Sequence, residues 1–152
     1  MKLAEALIRR ADSQKRFEQV KARLLVNAKV QEGDVPAETP ADLLTELLRV
    51  VNDLLELIKR INRTNSVTVF GGGETLSDAL AERDLLALQR SAYAELAQAA
   101  SITQGRYTRS EVKYVATVNV AEIQKRADEL AKNYRELDAR IQELNWQTEL
   151  VE

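Results

Sequence analysis

The sequence predicts a mainly α fold, a long antiparallel helical bundle with coiled-coil-like packing and short β-strand or hairpin additions. Three observations predict it. Apolar residues recur at helical spacing through four stretches, about residues 2–29, 40–63, 76–100 and 120–145. Helix-start signals stand at the head of three of these stretches. Between the helices, residues 66–70 and 111–117 exchange the helical period for a period of two, and a tail at 146–151 is a further candidate strand. With 152 residues, the chain is of a size for one domain spanning residues 1–152.

The first helix carries Leu3, Leu7, Ile8, Ala11, Phe17, Val20, Leu24, Leu25 and Ala28 as its apolar stripe. It is about 40 Å long at 1.5 Å per residue. Its other face holds Arg9, Arg10, Lys15, Arg16, Lys21 and Arg23. Such a face can bind nucleic acid or an anionic membrane; the stronger reading is a solvated face that complements an acidic neighbour. That neighbour is at hand. Residues 1–30 hold eight Lys/Arg and three Asp/Glu, residues 31–58 one and seven, so successive helices of opposite sign are expected to pair. The overall balance, −2, does not favour a nucleic-acid partner.

Thr39, Pro40 and Asp42 restart a helix with a cap, an N1 proline and an acidic N3 residue. This second helix has two adjacent apolar seams: Leu44, Leu48, Val51, Leu55 and Ile58 form one; Leu43, Leu47, Val50, Leu54, Leu57 and Ile61 form the other. Together they fill about 180° of the helical wheel, wider than the ~100° needed to face one core. The expectation is a central helix touching several others. Asn62 falls inside the apolar arc, where a buried amide would need partners.

The helix is expected to end in the polar cluster Asn62, Arg63, Thr64 and Asn65. Residues 66–70 then alternate as a strand, and Gly71, Gly72 and Gly73 supply a turn. Thr75 followed by Asp78 opens the third helix, apolar on one side at Leu76, Leu80 and Ala87 and on the other at Leu85, Leu88, Ala92 and Leu96. Arg83 stands on the first side and calls for a partner in Asp78, Glu82 or another helix. Residues 111–117 alternate again, preceded by the basic and aromatic Arg106, Tyr107 and Arg109. Asn119 and Glu122 open the last helix. Its seam Val120, Ile123, Ala127, Leu130, Tyr134, Leu137, Ile141 and Leu144 keeps spacings of three and four throughout. Glu122 with Arg126, Asp128 with Lys132, and Glu136 with Arg140 are expected as i,i+4 pairs. With the helices running up and down, strand 66–70 and tail 146–151 come to the same end and can pair.

Composition excludes more than it identifies. The chain has no cysteine and no histidine, which removes thiolate catalysis, the Ser-His and Cys-His dyads and most transition-metal ligation. The glycine run lacks the Lys-Ser/Thr of a phosphate-binding loop, and a carboxylate di-metal bundle needs histidine. A magnesium site from Asp78, Glu82 and Asp84 is weaker than a charged helix face as an account of that triplet. No catalytic residue, metal or cofactor is assigned. The candidate ligand-binding residues are Asn62, Arg63, Asn65, Asp78, Arg83 and Asp84 about the central hairpin, with Arg106, Tyr107, Arg109 and Lys113 further on. About the hairpin two arrangements stand open: a polar lock, which is favoured, or a small polar pocket.

The strings MKLAEALIRRAD, INRTN with LSDALAERD, RYTRSEVKYV and KNYRELDARIQELNW resemble a bacterial family of small uncharacterised proteins known as septicolysin-like. The resemblance runs through nearly the whole chain. It defines no catalytic residues, and the family label implies a membrane-active, pore-forming protein. The residues themselves favour a non-enzymatic structural or interaction protein. It is expected to be cytoplasmic, without a membrane span, with copies of itself as its partner in a homo-oligomer, a dimer or larger. An RNA- or phosphate-binding module using the first helix, Arg106, Arg109 and Lys113 is the remaining alternative.

Overall fold

A computed structural model describes residues 1–101 and 113–152. The fold is mainly α, built of packed helices: α1 (Leu3–Val26), α2 (Pro40–Val67), α3 (Leu76–Ala100) and α4 (Val120–Gln147). A small antiparallel hairpin, β1 (Val69–Gly71) and β2 (Glu74–Thr75), joins α2 to α3. The chain divides into two compact units, Met1–Leu76 with Glu143–Glu152, and Ser77–Gln142.

In the first unit α1 and α2 pack antiparallel, because the basic C-terminal half of one meets the acidic start of the other. Arg16 reaches Glu46 at 2.6 Å, and Arg23 binds both Glu38 and Glu46. The helices meet along two seams that alternate spacings of three and four. Leu3, Ala6, Arg10, Ser13, Phe17, Val20, Leu24 and Asn27 on α1 are buried or half-buried, as are Leu43, Leu47, Val50, Leu54, Leu57, Ile61 and Thr64 on α2. Each fully buried aliphatic side chain among them is worth roughly 1.5–3 kcal/mol.

The tail crosses the end of this pair. Leu3 N–H donates to Thr148 O at 2.9 Å and Leu150 N–H to Met1 O at 2.8 Å, closing a single antiparallel bridge between Lys2 and Glu149. Thr64 is fully buried, and its hydroxyl both donates to Arg60 O (2.8 Å) and accepts from Val151 N–H (3.0 Å). The expected strand at 146–151 is therefore corrected: Trp146 and Gln147 continue α4, and the segment beyond pairs with the N-terminus instead of with residues 66–70.

The start of that other strand is corrected too. Ser66 and Val67 belong to α2, which carries the polar cluster within its last turns. Side-chain hydroxyls explain the extension: Ser66 donates to Arg63 O and Thr68 to Thr64 O, both at 2.8 Å, satisfying carbonyls where the helix ends. The glycines act as expected; Gly71, Gly72 and Gly73 all have positive φ.

In the second unit, Ala79 and Ala97 of α3 and Ala127, Leu130, Leu137 and Ile141 of α4 are buried. Asn119 caps α4, its Oδ1 accepting from Glu122 N–H at 3.2 Å. Two of the expected surface pairs, Glu122 with Arg126 and Asp128 with Lys132, shift register, since Arg126 bonds Glu129 and Lys132 approaches Glu136. The strand expected at 111–117 is not formed over residues 113–117, which are exposed and irregular; residues 111 and 112 lie outside the described residues.

Candidate functional site

The α1/α2 pair has two unlike sides, and the sequence offsets explain them. On a wheel at 100° per residue, the position before each seam residue lies on one side and the position after it on the other. The ion pairs use the first set. Arg16, Arg23 and Glu46 each precede a seam residue, as do Arg9, Asp12, Asp53, Glu56 and Arg60, which line a groove of about 410 Å³ beside Met1. Residues bonded across the two helices share a side, so the positions following the seams share the opposite side.

On α2 that opposite side is Leu44, Leu48, Val51, Leu55 and Ile58. Leu44 is 47% exposed, Leu48 62%, Val51 39% and Leu55 48%; Ile58 is half-buried. Asn62 ends the row and is exposed as well. One seam of α2 thus meets α1, and the other is exposed at Leu44, Leu48, Val51 and Leu55. On α1 the same side carries exposed Ala11 and Leu25 with the Glu18–Lys21 ion pair between them. The apolar face therefore belongs to α2.

The helix α3 also has two sides. Ala79, Leu80, Arg83, Leu86, Ala87 and Ala97 are buried or half-buried, whereas Leu85, Leu88 and Leu96 are exposed. On α4 the long seam is not free: Val120, Ile123, Ala127, Leu130, Tyr134, Leu137, Ile141 and Leu144 are all buried or half-buried.

The expected ligand-binding residues fall in both units of the chain. Asn62 and Arg63 are exposed on the last turns of α2, where Arg63 donates to the backbone oxygen of Glu152, and Asn65 is half-buried. These three belong to the first unit; Asp78, Arg83, Asp84 and Lys113 belong to the second. Asp78, Asp84 and Lys113 are exposed, and Asp78 is engaged in an interaction of its own. Arg106, Tyr107 and Arg109 lie outside the described residues. Arg83 has a well-formed partner on another helix. Its Nη1 donates to Asp138 Oδ1 on α4 at 2.9 Å, and Asp84 Oδ1 lies 3.3 Å from Nη2. Partial burial works against the guanidinium charge, but the hydrogen bonds that Arg83 donates to Asp138 and Asp84 outweigh it and raise the Arg83 pKa. Of the partners expected for Arg83, Asp84 is present and a residue of another helix is supplied by Asp138, which ties α3 to α4. Sequence reasoning missed Asp138 because it sits 55 residues away among many surface carboxylates.

At the chain ends the Glu149 carboxylate lies 2.7 Å from Lys2 Nζ and 3.1 Å from the N-terminal ammonium. The Lys2 hydrogen bond, then that of the N-terminus, hold its pKa below the ordinary carboxylate value. Among the described residues no group of His, Cys, Asp or Glu is arranged to hold a metal ion, and no helix is long and apolar enough to cross a membrane.

A profile described as a family of unknown function, DUF6847, matches residues 10–150. No curated protein matches the chain. Among solved structures the chain is similar to a functionally unknown conserved protein from Corynebacterium diphtheriae, at 54% identity over 99% of both chains with a TM-score of 0.93.

Proposed function

The chain belongs to the DUF6847 family of unknown function, and we propose that it is a non-enzymatic, cytoplasmic interaction protein that works as a homo-oligomer. The observation that carries this is the bare apolar seam of α2, with Leu44, Leu48, Val51 and Leu55 all exposed. Scattered exposed leucines are ordinary on a protein surface, but a contiguous row marks a binding face. The exposed Leu85 and Leu88 of α3 add a second, smaller apolar surface. The composition supports the non-enzymatic part, since a chain with no histidine and no cysteine lacks the usual neutral-pH proton shuttle and nucleophile pair.

Light scattering at micromolar concentration tests the proposal. A mass of twice the chain or more is expected. A clean monomer overturns it.

A further inference from the structure

We infer that the cleft holding residues 148–152, between the start of α1 and the last turns of α2, is a docking site for the tail of a second copy of this chain, so that two copies exchange their tails. It rests on the self-association proposed above and gives that association a surface and an occupant. Three observations carry it.

The first is how the tail is held. Its main chain is read in the way that a bound peptide is read when it adds to a strand edge. Thr148 O accepts from Leu3 N–H, and Leu150 N–H donates to Met1 O. Val151 N–H donates to the Thr64 hydroxyl, Arg60 Nε donates to Val151 O at 3.1 Å, and Arg63 donates to the backbone oxygen of Glu152. One side chain anchors the segment: Leu150 is buried, Thr148 is half-buried, and Glu149, Val151 and Glu152 are exposed. The second observation is charge. The tail brings Glu149 and Glu152, and the cleft brings Lys2, Arg60 and Arg63, with Lys2 Nζ 2.7 Å from the Glu149 carboxylate. Such a cleft selects an acidic segment with a leucine at its centre, and the tail of any copy is that segment.

The third is how little binds the tail to its own cleft. The helix α4 ends at Gln147, where Thr148 N–H closes a last bond to Leu144 O at 2.9 Å, and five non-helical residues follow. The groups that hold them come from the start of α1 and the end of α2, so nothing in the cleft distinguishes its own tail from that of another copy. With one buried anchor and mostly exposed main-chain bonds, the tail can leave while α1 and α2 stay folded. Docking on a second copy restores each bond that release breaks, which makes the exchange a low-cost route to a twofold dimer.

Lys2 and Glu149 face each other between the two main-chain bonds. In such a non-hydrogen-bonded pair the Cα atoms are about 4.5 Å apart, within reach of a disulfide. The chain has no cysteine, so a Lys2→Cys chain mixed with a Glu149→Cys chain reports where the tail docks. Under mild oxidation the mixed disulfide is expected to predominate over both homodisulfides. Adding Leu150→Asp to the Glu149→Cys chain is expected to abolish it, with an unchanged helical circular dichroism spectrum. The double variant Lys2→Cys with Glu149→Cys is expected to run as a covalent dimer that reduction returns to single chains. An internal disulfide in the double variant and no mixed product, from a parent that scatters as a dimer, overturn the exchange and leave self-association standing. A mixed product indifferent to Leu150→Asp overturns the exchange as well. A monomeric parent chain overturns both.

Discussion

Replacing Arg83 by Met should weaken the second unit by an amount that its burial sets. The Arg83 and Asp138 side chains are 22% and 32% exposed, between the two cases for which magnitudes are known. Exposed ion pairs contribute about 0.2–1 kcal/mol, and breaking a fully buried one costs about 3–5 kcal/mol. Asp138 would keep a hydrogen bond from Gln142 at 3.3 Å and some water, so the expected loss is about 1–2 kcal/mol. For a chain of this length that lowers the melting temperature by about 3–6 °C. Methionine preserves most of the aliphatic stem, so the loss reports the charge and not the packing. Urea denaturation followed by circular dichroism measures it, and a double-mutant cycle with Asp138→Leu isolates the pair, with a coupling of about 1 kcal/mol expected. An Arg83→Met variant within about 0.3 kcal/mol of the parent, or a coupling of zero, would refute the reasoning and leave the pair as a solvated surface contact.

Thr64→Val keeps the shape of a fully buried side chain but leaves Val151 N–H without its acceptor; a loss of about 1–2 kcal/mol is expected, with faster hydrogen exchange at the Val151 amide, and unchanged exchange would count against the tail clasp. Because the Glu149 pKa is lowered by Lys2 and the N-terminus, its contribution is present above the unfolded glutamate value of about 4.3 and fades as pH falls through the lower folded value. Glu149→Gln should therefore be less stable than the parent at pH 7 and draw closer to it in acid, as pH falls through the lowered folded value; equal gaps at neutral and acid pH in urea titrations would rule out this contribution of Lys2 and the N-terminus. Dye-loaded liposomes are expected to stay sealed with the protein added at neutral or mildly acid pH, and substantial leakage would instead favour the membrane-active reading that the septicolysin resemblance implies.

The helices were legible because periodicity, caps and turn chemistry agreed. Pro40, Asn119 and Gly71 to Gly73 each did what their chemistry requires. The misplaced boundary came from Thr64, Ser66 and Thr68. Hydroxyl residues favour helix ends and strands in general, yet here their side chains bond carbonyls three or four residues back and prolong α2. The tail alternated like a strand but had only Lys2 to pair with, so it forms one bridge. Arg83 was legible as a residue needing a partner, though the partner itself was not, because nothing in sequence singles out Asp138 from other carboxylates on α4. Which α2 seam would be covered was equally hidden. Both have the same spacing and similar side chains; the covered one is the seam beside Glu46, which pairs with Arg16 and Arg23 of α1.

That choice bears on what the protein does. An apolar seam of five positions in water invites association, and chains under no demand to associate tend to break such rows with charge. α4 also has a long apolar seam, and it is consumed by packing within the chain. Between Ala41 and Asn62 the bare seam of α2 contains no charged residue, although the opposite edge of the same helix has Asp42, Glu46, Arg49, Asp53, Glu56 and Arg60. Charge has been kept to one edge and off the other. Because solubility alone would be served by a single Lys or Glu at Leu48, the most exposed of the three leucines and the valine, the row is better explained by a contact that needs it dry.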